Sequence, residues 1–214
     1  MEQEKLNELI ALHEVWLSTK GKEGSRLDLS GEDLRDCTFE AADLSEAIFD
    51  YANLNNANLS KSLFNKASFV EANMKEAYIA EASFVEADMS YACLDMVRGN
   101  AADFWDANLQ NASFVDADLR DSRLQWAVLK NCDMRFVDLR DTDLHNVDFG
   151  ESDLSNADLS HTDLRSADLK YCNLEAAYMA GADLRGANLS WSILIDVDLS
   201  NCRIEKTNFR GVEQ

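Results

Sequence analysis

Residues 160–190 read SHTDLRSADLKYCNLEAAYMAGADLRGANLS, and in this stretch Leu164, Leu169, Leu174, Met179, Leu184 and Leu189 recur at every fifth residue. A helix returns a side chain to one face every 3.6 residues and a strand every 2, so neither element produces a sustained period of five. Worked outward in both directions, the period runs from Leu29 to Phe209. Of its 37 positions, 36 hold Leu, Phe, Met or Ile, and the exception is Gly99. Two residues before each lies a smaller residue, mostly Ala and otherwise Ser, Thr, Cys or Val, as at Ala167, Cys172, Ala177 and Ala182; Leu27 and Glu32 depart from this type. The other three positions of each pentapeptide are largely Asp, Asn, Ser, Arg, Lys, Glu and Gly.

A chain buries the first and third of every five residues only by turning a corner once per pentapeptide and returning over itself. Stacked coils of this kind pair their backbone groups across a spacing of about 4.8 Å. A proline would remove a donor from such a ladder, and the chain has none. Short-period self-similarity marks a solenoid, in which each coil is stabilised by its neighbours.

The tandem A(D/N)Lxx units ANLNN, ANLSK, ADLRD, ADLSH, ADLKY, ADLRG and ANLSW resemble the pentapeptide-repeat family, and the resemblance covers residues 27–212. It implies an all-β solenoid, a right-handed quadrilateral parallel β-helix with four pentapeptides per coil and about nine coils. Residues twenty apart would then stack, placing Phe64, Phe84 and Phe104 in one interior column. At the ladder spacing the rod would be roughly 43 Å long.

Residues 2–18 carry Leu6, Leu9, Ile10, His13, Trp16 and Leu17 at the spacing of an amphipathic helix, followed by a polar link over 20–25. The expected organisation is a capping helix and linker over 1–25 and the repeat body over 26–214. The helix would cover the open mouth and unpaired edge of the first coil. At the other end Ile204, Phe209 and Val212 form an apolar surface expected to support a C-terminal homodimer. Met96, Arg98 and Gly99 mark an expected irregular coil, because Gly99 interrupts the inward column and glycine inside a strand commonly signals a bulge. Val85, Trp105 and Trp126 form the expected protein-binding patch, since aromatic anchors are enriched at interfaces.

The net charge of −20 disfavours direct binding to nucleic acid or anionic membranes. Cys37, Cys93, Cys132, Cys172 and Cys202 are too widely spaced for a zinc motif and look like small apolar fillers in a reducing, cytoplasmic compartment. The N-terminal stretch has neither the charge pattern of a signal peptide nor the length of a membrane span. The three histidines do not cluster, the Asp residues are generated by the repeat, and no phosphate loop or nucleophile elbow occurs. Catalytic, cofactor and metal sites are therefore expected to be absent. The expected function is a non-catalytic interaction scaffold, an acidic rod for a protein partner. The alternative, implied by resemblance to the quinolone-resistance pentapeptide proteins, is a DNA mimic that binds a type II topoisomerase. Duplex DNA carries about one charge per 1.7 Å, a density similar to that of this rod. Those relatives, however, interrupt the repeat with loops and end in a dimerising segment, whereas this register never breaks, and no one face dominates the charge.

Overall fold

The computed structural model describes residues 1–214 and shows one helix, α1 (Gln3–Ser18), followed by a right-handed quadrilateral β-helix. The sides of the square share one construction, with an exception at 197–201. The central residue's N–H donates to the coil above, as from Leu34 to the Asn53 carbonyl (2.8 Å). The coil above donates back from Asn53 to Glu32 (2.9 Å), and the corner adds a bond from Asp36 to Asn55 (3.2 Å). Parallel bridges consequently join residues twenty apart, in columns such as Asp28, Ile48, Ser68 and Asp88. Each side contributes a single bridge per coil before the chain turns, so the ladder consists of isolated rungs and not of long strands.

The corners explain the polar positions. At every corner from Gly31 to Gly211 except Asn201, the residue two after the central one has a positive φ, and the next N–H generally closes a turn onto the central carbonyl, as from Cys37 to Leu34 (3.1 Å). One positive φ at the third turn position is the signature of a type II turn. Asp, Asn and Gly tolerate this left-handed conformation best. The residue before the centre supports the same corner: the Asp43 Oδ1 accepts the Ser45 N–H (3.1 Å), and the Asp138 Oδ1 accepts that of Arg140 (3.2 Å). Substitution of Asp118 or Asp138 by Asn retains this acceptor and is expected to leave the urea midpoint nearly unchanged, within about 0.5 kcal/mol for a surface site.

Inside, the Leu/Phe columns and the Ala columns merge into one core. Phe64, Phe84 and Phe104 stack with centroids 5.2 and 5.1 Å apart, and Phe49 stacks on Phe69 at 4.7 Å. Hydroxyls admitted into the small-residue columns are satisfied by turn carbonyls: Ser62 donates to Phe39 O (2.6 Å) and Ser152 to Leu129 O (2.6 Å). Cys132 and Cys172 occupy equivalent places, with Sγ near the carbonyls of Leu109 and Phe149 (3.1 and 3.0 Å). Burial pushes both thiols up to about 12, which makes them poor nucleophiles. Cys93 differs from the expected filler role, because it lies in an outward column between Asn73 and Ser113.

The first coil is closed by α1 with polar contacts as well as apolar bulk. Leu6 is fully buried over the core. The Gln3 side chain donates to the Thr38 carbonyl (2.9 Å) and accepts the Thr38 N–H (2.9 Å), replacing the rung that a coil below would supply. Buried His13 accepts the Leu27 N–H at Nδ1 (3.1 Å) and reaches the Ser45 carbonyl from Nε2 (3.0 Å). This pair of bonds assigns the proton to Nε2 in a neutral ring. Burial, outweighing the Ser45 bond, lowers the His13 pKa below the ordinary imidazole value. Its neutral form therefore contributes stability in full above the unfolded value near 6.5, and that contribution is lost as pH falls through the lowered folded value. Between pH 7.5 and 5 the wild type is expected to lose Tm faster than His13→Gln, a comparison that cancels the background titration of the acidic surface. Parallel Tm curves would show that His13 does not titrate with unfolding.

The coil at Gly99 is regular, contrary to the irregularity expected around Met96, Arg98 and Gly99. Ile79 donates to Arg98 O (2.9 Å) and Gly99 to Asp118 O (2.8 Å), so the ladder passes straight through. The missing side chain leaves no gap to be filled by Met96, which stays exposed at its corner. Ile79 and Leu119 close over the position, and a Cβ on Gly99 would lie 2.9 Å from each. The actual irregularity lies at 197–201. Asn201 is the one corner between Gly31 and Gly211 without a positive φ, and the bridge from Tyr178 to Asp198 is absent. No helix is long and apolar enough to cross a membrane.

Candidate protein-interaction surface

The corners of the square are the most projecting points of the rod, and several carry large side chains. Trp126, Phe136, Tyr51, Tyr91, Tyr171 and Trp191 all sit at corners with positive φ, and all are at least half exposed. The left-handed region is unfavourable for bulky residues by about 1–2 kcal/mol. Gly or Asn at the same corners would reduce that cost.

The expected patch of Val85, Trp105 and Trp126 is not uniform. Val85 and Trp105 lie one coil apart in the same outward column and are half-buried. Trp126 is 56% exposed and stacks on His145 at 6.5 Å. Gln125, one coil above Trp105 and next to Trp126, donates to Asp143, while its Oε1 is buried without a partner. A second feature is invisible at the five-residue period. Tyr51, Tyr91, Tyr171 and Trp191 share one corner column, being separated by multiples of twenty residues, so they form an interrupted aromatic ridge along one edge of the rod. The signal is present in the sequence, but it emerges only when corners are aligned at a period of twenty.

Part of the acidic surface is paired in place. Arg35, Arg120, Arg135, Arg140, Arg165 and Arg185 each pair with the Asp two residues earlier, at 2.5–2.7 Å. The arginine bond holds Asp33 and Asp183 well below the usual carboxylate range, at about 2. These pairs are mostly solvent-exposed and contribute little to stability. Their consequence is electrostatic, because a paired carboxylate does not project the field of a free one.

At the last coil Ile204 is exposed, and Phe209 and Val212 are half-buried against the core. His13 belongs to the cap, His145 to the Trp126 corner and His161 to another corner, so the three do not converge.

Family models for the pentapeptide repeat region match residues 102–179, and models for pentapeptide repeats match 25–60, 62–98 and 172–211. The chain belongs to the pentapeptide-repeat family. Among solved structures, this pentapeptide-repeat chain is similar to HetL, a protein involved in heterocyst differentiation regulation from the cyanobacterium Nostoc sp. Strain PCC 7120. The identity is 25%, over 93% of this chain and 92% of HetL, with a TM-score of 0.47. It is also similar to QnrB1, a plasmid-mediated fluoroquinolone resistance protein, at 18% identity over 87% of this chain and 89% of QnrB1, with a TM-score of 0.43. No curated protein matches the chain.

Proposed function

We propose that this pentapeptide-repeat protein is a non-catalytic interaction scaffold whose corner aromatics anchor a protein partner. The supporting observation is the placement of Trp126 at a left-handed corner, half exposed, on a backbone locked by rungs on both sides. A strained conformation retained by a bulky exposed residue points to use at that position. A rigid base also avoids the ordering cost that weakens flexible binding surfaces. Val85 and Trp105 extend the anchor along the adjacent side. Five free thiols fit a reducing compartment such as the cytoplasm.

The test is a pulldown from the source cell with wild type and the Trp105→Ser, Trp126→Ser double variant. Loss of a hot-spot pair is expected to weaken the captured partner by about 2 kcal/mol or more, while leaving the circular dichroism unchanged. Unchanged affinity in the double variant would make the patch ordinary surface. Self-association through Ile204, Phe209 and Val212 is tested separately by sedimentation, in which Phe209→Asp should split any dimer.

The net charge of −20 supports a second reading, DNA mimicry toward a type II topoisomerase such as gyrase. The even spread of that charge weakens it, since no one face of the rod dominates. A gyrase supercoiling assay with added protein separates the two: inhibition or quinolone protection supports mimicry, and no effect leaves the aromatic scaffold.

A further inference from the structure

One side of the last coil stands apart from the coil beneath. The complete pattern is shown one coil earlier, where the side carrying Asp158 meets the side carrying Tyr178: Leu159 donates to Tyr178 O (2.7 Å), His161 to Ala180 O (2.9 Å), and Tyr178 to Ala157 O (2.9 Å). One coil further on, the three equivalent bonds are missing. The N–H groups of Met179 and Gly181 and the carbonyl of Ala177 have no backbone partner above them, while the flanking rungs from Asn173 to Ile193 and from Asp183 to Arg203 are intact. The gap is a cleft of about 320 Å³, lined by Ala177, Tyr178, Met179, Asp196, Asp198 and Asn201.

The chain itself contains the closed counterpart. In the same outward column, Tyr78 receives Arg98 from the coil above: the guanidinium lies 4.7 Å from the ring centroid, and Nη1 donates to the Tyr78 hydroxyl (2.6 Å). Tyr178 is 66% exposed, with neither a cation over its ring nor a hydrogen bond to its hydroxyl. The residue above it in register is Asp198, whose backbone does not pair with the coil below, although Val197 and Leu199 beside it stay packed against the core. The charged side chains lining the cleft are Asp196 and Asp198, both acidic.

The geometry points to this cleft as a docking site for an extended, arginine-bearing peptide segment of a partner protein, added parallel to residues 177–181. The segment takes the place of residues 198–200. Its arginine N–H donates to Ala177 O, its arginine carbonyl accepts from Met179, and the carbonyl two residues on accepts from Gly181. This is strand addition to an open edge, in which backbone bonds supply affinity and side chains supply selectivity. The guanidinium covers Tyr178 as Arg98 covers Tyr78, and Asp196 and Asp198 face its charge. The next residue of the segment points inward over Met179 in the place of Leu199, which it displaces, and is apolar. The inference concerns a surface separate from the Trp126 patch, and either can fail without the other.

The probe is an acetylated, amidated peptide, Thr-Asn-Arg-Leu-Ser-Asn-Thr, titrated into the full chain and followed by amide hydrogen exchange and NMR. In the free protein the Met179 and Gly181 amides are expected to exchange faster than those of Leu159 and His161. Saturating peptide is expected to slow them by at least about tenfold, as ladder bonds form. Tyr178→Ala, at an exposed position that leaves the core untouched, is expected to weaken binding by about twofold to fivefold, the range of an exposed cation–π contact. N-methylation of the peptide's arginine removes the donor to Ala177 and is expected to abolish binding. Amides already protected in the free protein, binding that leaves them unprotected, or equal binding by the N-methylated peptide would each overturn the proposal.

Discussion

Leu119→Asp or Leu139→Asp is expected to unfold the middle of the rod. Both side chains are fully buried in the interior columns, and Leu119 additionally closes the space above Gly99. The substitution loses the burial of a leucine, about 2 kcal/mol. It also places a carboxyl where the surrounding groups are apolar side chains and backbone already committed to rungs, and an unpaired polar group there costs several kcal/mol more. The combined loss, about 5 kcal/mol or more, is comparable to the whole stability of many domains. In a solenoid the damage spreads through neighbouring coils, because each is stabilised by the next. Urea unfolding followed by circular dichroism checks this: the midpoint should collapse or the transition should split into two. A midpoint within experimental error of the wild type would show that the columns do not carry the fold.

Deletion of residues 1–20 is expected to leave the coils recognisable and to make the protein associate. The truncation uncovers the apolar mouth beneath Leu6 and frees the Thr38 N–H and C=O held by Gln3, together with the Leu27 N–H and Ser45 carbonyl held by His13. An edge with unpaired ladder groups beside apolar surface is a template for pairing with another chain. Light scattering should show oligomers or precipitate at concentrations where the full chain is well behaved, with the β-type circular dichroism retained. A truncated protein as well behaved and as stable as the full chain would remove the capping role of α1.

The effects differ in kind because the two changes act on different parts of the ladder. A charge in the interior breaks the coil-to-coil interactions themselves, whereas loss of the cap exposes interactions that were already complete. The same distinction governs which features are legible in the sequence. The five-residue period from Leu29 to Phe209 determined that the first and third residues of each pentapeptide are buried in a coil, and the resemblance carried by its A(D/N)Lxx units implied the square cross-section, the twenty-residue stacking and the Phe64, Phe84 and Phe104 column. The spacing of Leu6 and His13 likewise placed them on the inward face of α1.

The tertiary structure decided what depends on neighbours one coil away. Gly99 looks like a defect in the linear pattern, yet Ile79 and Leu119 close over it and the rungs continue. The break at 197–201 falls where the pentapeptide pattern is intact, at Leu199 and Cys202, and shows itself in the corner conformation of Asn201 and the lost pairing of Asp198. His13 is a hydrogen-bonding cap and not simply an apolar-face residue, because Leu27 and Ser45 meet it from the first coils. The pentapeptide dictates which way each side chain points, since that depends on five consecutive residues. Which rung closes, which void fills and which aromatic edge aligns depend on residues twenty apart, and those interactions are settled by packing between coils.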